Sequence, residues 1–309
     1  MGIKHSYTAT GTNDGAKQVS VDRWNNDHII DTEIDLPLVT SPTAPAADYI
    51  AIYGQKRAGR MLLTQMGPSG LDTSLQPNLG GNKFGLWIPP GNATTVPGVF
   101  GIGTLTAVGT ATARTAAATT LATRMLRLGY VSAATAGSMT SIREGQNKYT
   151  TGAGDGLGGF YYRLRFIPSD AAAVSGERFF AGLSAATGAA TNVEPSTLVN
   201  SLGICQLSTS SNLHIYGAGA SAGTPVDLGA SFPANGLSTD AYEFAMFSGP
   251  SGTTTWQVWK LGTTVTTSGT FAAQPSSSTF IGHQIWKTNN ATALAVAFDI
   301  CSLYIETDN

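Results

Sequence analysis

Charge is scarce in this sequence. The 17 basic and 19 acidic side chains make up 12% of 309 residues, about half the share of an ordinary soluble domain. They leave a net charge of -2, too small a field to collect phosphates, so no nucleic-acid partner is expected. There are only two cysteines, Cys205 and Cys301. They are no disulfide framework and read either as two buried free thiols or as one bridge. The four histidines, His5, His28, His214 and His283, do not have metal-ligand spacing, and no zinc site is expected. No apolar run approaches the ~18 residues that span a bilayer, so no membrane insertion is expected. The start, Met1-Gly-Ile-Lys-His-Ser-Tyr7, has no apolar stretch of the signal-peptide kind.

Catalytic motifs are missing as well. No G-x-S-x-G elbow or Walker lysine loop occurs. Gly154-Asp-Gly-Leu-Gly-Gly159 satisfies G-x-G-x-x-G, but a strand-like run follows where phosphate binding needs a helix N-terminus. The acidic residues of the second half show no spacing that proposes a glycosidase pair. The protein is expected to be no enzyme and to hold no cofactor.

The missing charge is replaced by 37 glycines, 40 threonines and many alanines and serines. Residues 1–47 are irregular, comparatively charged, and end in Ser41-Pro-Thr-Ala-Pro45. Their apolar surface is too small for a core of their own, and they read as an arm ordered against other chains. Residues 48–93 form a connecting region with a short strand at Tyr49–Tyr53 and a basic turn carrying Lys56, Arg57 and Arg60, expected to be a solvated turn. From residue 94 to 309 the texture is β. In Phe160-Tyr-Tyr-Arg-Leu-Arg-Phe-Ile167, the residues Phe160, Tyr162, Leu164 and Phe166 fall on one face, with Arg163 and Arg165 on the other. Such period-two alternation marks a half-buried antiparallel strand. Similar runs occur at Arg178–Leu183, Leu202–Leu207, Leu213–Tyr216, Tyr242–Phe247, Thr255–Leu261, Thr279–Trp286 and Leu294–Glu306, most with turn residues after them. Ala116–Arg127 tolerates a helix but lacks the 3.6-residue period. The fold class is therefore all-β: an antiparallel, jelly-roll-like β-sandwich with an irregular N-terminal anchoring arm.

Four stretches carry a resemblance. Val19-Ser-Val-Asp-Arg-Trp24-Asn-Asn-Asp-His28 resembles the W-N-x-x-H element of tailed-bacteriophage virion proteins. Gly67–Asn78 with Leu86-Trp-Ile-Pro-Pro90 is similar to the stretch that often follows. Gly159–Phe166 with Arg178–Leu183 resembles the opening of their β-sandwich, and Phe298–Asp308 resembles their C-terminus. The resemblance implies a virion location, after assembly in the host cytoplasm, as a tail-fibre or receptor-binding protein. A collar fibre, head fibre or capsid decoration protein is the alternative. It further implies a homo-oligomer, most often a trimer, held to other virion proteins through the arm that bears Trp24, Asn25 and His28. The resemblance implies no catalytic residues.

A receptor-binding protein of this kind would contact host-surface polysaccharide. Aromatic rings offer large contact area at low entropy cost, and amides can both donate to and accept from hydroxyls. Trp286 ends a strand beside Lys287, Asn289 and Asn290, where a turn would expose it, and these four residues are the expected glycan contact. The competing expectation is that Trp286 caps the core. Trp256 and Trp259 lie on opposite faces of one strand, so one of them at most belongs to the core.

Overall fold

The computed structural model of the chain describes residues 36, 38–40, 42–46, 49–66, 72–74, 83–89, 102, 105–154, 157, 159–249 and 252–307. Trp24, Asn25, His28 and most of the 1–47 arm lie outside the described residues. Among the described residues helix is confined to one turn, α1 (Leu121–Arg124), and a 3-10 turn at Pro195–Thr197. Thr120 caps α1 through a capping box, and the Arg127 guanidinium donates to Thr123 O and Met125 O at its other end. These caps hold a single turn that no apolar period announces.

The remaining elements are strands, in chain order β1 (Ala51–Arg57), β2 (Arg60–Met66), β3 (Asp72–Ser74), β4 (Lys83–Trp87), β5 (Leu105–Val108), β6 (Thr110–Ala113), β7 (Leu128–Val131), β8 (Met139–Glu144), β9 (Phe160–Pro168), β10 (Arg178–Ser184), β11 (Ser201–Gln206), β12 (His214–Ala218), β13 (Val226–Asp227), β14 (Tyr242–Ser248), β15 (Thr254–Lys260), β16 (Thr266–Thr270), β17 (Gly282–Thr288) and β18 (Ala297–Thr307). β1 to β3 form a small antiparallel meander. The rest make two antiparallel sheets, one in the order β13-β12-β11-β10-β17-β8-β5 and one in the order β16-β15-β14-β9-β18-β7-β6. The eleven residues of β18 serve two neighbours end to end, β7 along Ala297–Ile300 and β4 along Leu303–Thr307. The eight-stranded sheet thus begins with β4, inside the region expected only to connect.

The alternation read from the sequence decides which side chains meet between the sheets. Phe160, Tyr162, Leu164 and Phe166 of β9 join Tyr242, Phe244 and Met246 of β14 and Phe298, Ile300, Leu303 and Ile305 of β18. Facing them are Phe179, Ala181 and Leu183 of β10, with Leu202, Ile204, Ile215 and Ile285. One side of the sandwich is closed by chain continuity. β5 ends one sheet, β6 ends the other, and only Gly109 lies between them. Gly109 has φ +89°, and a Cβ there would stand 2.7 Å from the Val131 carbonyl oxygen, so glycine alone makes this corner.

Polar groups are sealed in with the apolar ones, among them His283 and Lys287. Between the sheets His283 Nδ1 lies 3.1 Å from the Tyr162 hydroxyl. At one mouth of the sandwich Lys287, in the cross-strand row of Phe179 and Gln206, forms ion pairs with Asp170 and, at 3.2 Å, with Glu177. Gln206 donates to Glu177 at 3.1 Å, and Asp170 accepts from the Ala297 N–H at 2.7 Å. The cluster thereby ties β17, the β9–β10 connection and the start of β18. Burial and the Asp170 charge push the Glu177 carboxyl up, against the pull of Lys287. Charged groups this buried persist only when paired.

Both features can be measured. Burial drives the His283 imidazole down from 6.5 to about 3, so the folded state excludes a proton that the unfolded chain binds. Stability from this group is complete above pH 6.5 and falls on acidification toward pH 3, by about 1.4 kcal/mol per pH unit midway. Urea titrations should show that slope between pH 6 and 4.5 in the wild type, reduced by that amount in His283→Gln. An equal slope in the variant would exclude His283 as its origin. Lys287→Met leaves two buried carboxylates without their cation and should cost roughly 3–5 kcal/mol. Adding Asp170→Asn and Glu177→Gln to that variant should recover much of the loss.

Candidate functional site

The structure does not expose Trp286. It is 1% exposed, as is Lys287, and Asn289 is 0%. Trp286 points to the outer side of its sheet, not between the sheets, yet that side is covered. Its ring stacks with Phe180 at 6.2 Å and packs with Cys205, Tyr216 and Ala218 beneath Ala190 and Leu198 of the β10–β11 connection. Tyr216 pins that connection by donating to Ser196 O at 3.1 Å and Leu198 O at 2.5 Å. Asn289 donates to Thr135 O and Leu294 O, both at 2.8 Å, and so holds two loops together. Asn290 is half-buried, at φ +52°. A ring under a loop and an amide spent on carbonyls offer nothing to a sugar. The expectation of an exposed contact at Trp286, Lys287 and Asn289 is therefore corrected. Its neighbour Ile285 faces the core, so Trp286 points outward, and a connection elsewhere in the chain decides that it is covered.

The second correction concerns the basic turn. Lys56 is exposed, as expected, but the half-buried Arg57 and Arg60 clamp the β1–β2 hairpin onto the outer face of the eight-stranded sheet. Arg60 donates to both oxygens of Glu306, at 2.7 and 2.6 Å, and lies over the rings of Tyr161 and Phe247. Arg57 lies over Trp259 at 5.1 Å. The Ala58 N–H donates to Gln257 at 3.0 Å, while Thr255 donates to Ala58 O. Fork-like bidentate pairing and ring stacking are what arginine does better than lysine.

At the other end of the same face, α1 covers Ile167, Ala241 and Cys301. There Asp299 accepts from Arg127 and Arg114, both at 3.0 Å, and from Ser169 at 2.6 Å. The outward residues of β9 thus run from Tyr161 under the hairpin, through Arg163 and Arg165, to Ile167 beside α1. Between the two coverings the sheet lies open. Arg163 and Arg165, with side chains 32% and 38% exposed, both donate to Oε2 of Glu243 at 2.6 Å. The cross-strand partners of Glu243 are Arg165 and Trp259, and the partner of Trp259 beyond is Thr266. Trp259 is half-buried, whereas Trp256 on the opposite face belongs to the core. Of this strand's two tryptophans only one is core, as its alternation allowed.

Burial opposes the charge of Glu243, but Arg163 and then Arg165 outweigh it and hold the carboxyl below its usual range. A carboxylate so held is a fixed anion and a poor general acid. Arg163 and Arg165 stand here as two guanidiniums on one carboxylate, with an indole and the hydroxyls of Thr266 and Ser268 beside them. This stretch is suited to recognise an anionic, hydroxyl-rich ligand. The alternation of β9 announced both arginines; their gathering with Glu243 and Trp259 depends on strand order, which no local pattern reveals.

Other residues weighed in the sequence have structural places. Cys205 and Cys301 are free and buried, with burial pushing both thiols up, that of Cys301 to about 12. His214 is a buried sheet residue whose Nδ1 lies 3.0 Å from Asn212 O. Asp155, Gly156 and Gly158 of the G-x-G-x-x-G string lie outside the described residues, and β9 follows it directly. Among the described residues no group of three His, Cys, Asp or Glu could hold a metal ion, and no helix is long and apolar enough to cross a membrane.

No family model matches the chain, and no curated protein does. Among solved structures it is similar to a protein of unknown function from Shewanella oneidensis MR-1, at 11% identity and TM-score 0.47, over 75% of this chain and 89% of that one. It is also similar to arcelin-5, a lectin-like defence protein from Phaseolus vulgaris, at 9% identity and TM-score 0.47, over 73% of this chain and 98% of that one. Peanut lectin stands at 9% identity and TM-score 0.46, over 73% and 97%. Likeness at this level carries no function across.

Proposed function

We propose that the protein is a non-catalytic virion protein of a tailed phage, a tail-fibre or receptor-binding component. In this reading it contacts acidic host-surface glycan through the open stretch between the β1–β2 hairpin and α1. The observation that carries the glycan contact is the Arg163–Glu243–Arg165 cluster beside Trp259. Exposed guanidinium donors match sugar carboxylates and hydroxyls, and the half-buried indole supplies apolar contact. The virion placement rests on the sequence resemblance. Each site is small, so repeated sites in a homo-oligomer would supply the avidity that attachment needs.

The test has two arms. Calorimetric titration of the full chain should show acidic polysaccharide from the host binding more tightly than its carboxyl-reduced form. Arg165→Ala should weaken binding about tenfold or more, as expected for losing a charge-assisted bond of roughly 1.5–3 kcal/mol, with little change in melting temperature. Equal binding of both polymers, or an unchanged Kd in Arg165→Ala, would sink the glycan contact. Immunogold labelling of intact virions checks the placement: label at the fibre tips is expected, and label confined to collar or capsid favours a purely structural role.

A further inference from the structure

The eight-stranded sheet ends at β16, with no strand beyond it among the described residues. The bonds between β16 and β15 reveal which way its backbone points. Phe271 N–H donates to Thr254 O, and Val265 O accepts from Lys260 N–H, both at 3.0 Å. Odd-numbered residues therefore face β15. Because antiparallel strands alternate, Thr266, Ser268 and Thr270 direct their N–H and C=O groups away from the sheet. All three residues are exposed. Their edge carries three donors and three acceptors.

Proteins usually blunt such an edge with Lys, Pro, a bulge or a covering segment. From Leu261 to Phe271 the chain has no charged residue and no proline. The other edges look different. β13 is two residues long and includes Asp227, which accepts from Asn212 and Gly229. β5 and β6 are one segment bent at Gly109, followed by Arg114 on Asp299.

We propose that β16 pairs antiparallel with β16 of a second copy of this chain, about a two-fold axis through Ser268. The sequence Thr266-Thr-Ser-Gly-Thr270 is nearly its own reverse. About that axis Ser268 meets the partner's Ser268, Thr266 meets the partner's Thr270, and Thr267 meets the partner's Gly269. Residues two apart share one pairing type, so 266–270, 268–268 and 270–266 all become hydrogen-bonded pairs and use every donor and acceptor of the edge. On the outer side hydroxyl meets hydroxyl, a favourable cross-strand pair, and no like charges oppose. On the inner side Thr267 stands against a residue without a side chain. That glycine is needed within the chain too, because a Cβ on Gly269 would stand 2.8 Å from the Trp256 ring. This self-complementarity favours a second copy over a foreign strand. The result is one sheet running through both chains, with the two Trp259 faces on the same side of it.

A two-fold contact builds even-numbered assemblies, so it departs from the trimer implied by the resemblance. Light scattering on the full chain should give the mass of two chains. Ser268→Pro removes a donor that the β15–β16 ladder does not use, and it should give monomers that stay folded, with the wild-type circular dichroism spectrum. Ser268→Lys and Ser268→Glu place like charges opposite each other and should each be monomeric, while an equal mixture of the two should restore the dimer. A wild-type monomer or trimer overturns the proposal, as does a dimer that survives both Ser268→Pro and Ser268→Lys.

Discussion

Phe166 of β9 and Phe179 of β10 stack across the gap between the sheets with ring centroids 5.3 Å apart. Phe166 also meets Tyr242 at 5.7 Å, and Phe179 meets Phe298 at 6.4 Å. These contacts join strands of both sheets around one aromatic centre. Such rings bury large areas and add pairwise energy of their own. The rest of the molecule depends on this facing of two sheets. In a charge-poor chain the apolar layer supplies the bulk of stability, and ionic clusters hold the polar groups that are sealed in with it.

A sheet has two faces, and here the outer faces are largely covered as well. One carries the β10–β11 connection over Trp286 and Phe180. The other carries the β1–β2 hairpin at one end and α1 at the other. Covering the ends leaves the middle open, with Arg163, Arg165 and the half-buried Trp259. The hairpin gives this stretch its wall, with Arg57 over the Trp259 ring. An arginine in a connecting region thus becomes part of a surface nearly two hundred residues further on.

Site and edge belong to the same sheet. Thr266 is the cross-strand neighbour of Trp259 and also a member of the open β16 edge. Pairing along that edge would extend the face that bears the arginines and set two copies of it side by side. The buried clusters at His283 and Lys287 lie away from this face and act on stability. Each satisfies polar groups within a low-dielectric interior, where an unpaired partner is costly.

Period-two alternation was enough to place Phe160, Tyr162, Leu164 and Phe166 on the core side and Arg163 and Arg165 on the other. Strand geometry forces that result whatever the surroundings. The same alternation allowed one core tryptophan in β15 at most, and turn residues marked most strand ends. What lies over an outer face is not a local property. Trp286 obeys its alternation and is nonetheless buried, because residues 190–198 close over it. Arg60 reads as a solvated turn residue until its partner Glu306, 246 positions away, is brought beneath it by strand order. Alternation arises from bond geometry and is written in every short segment. Coverage arises from contacts between segments far apart in the chain, and only the tertiary structure decides it.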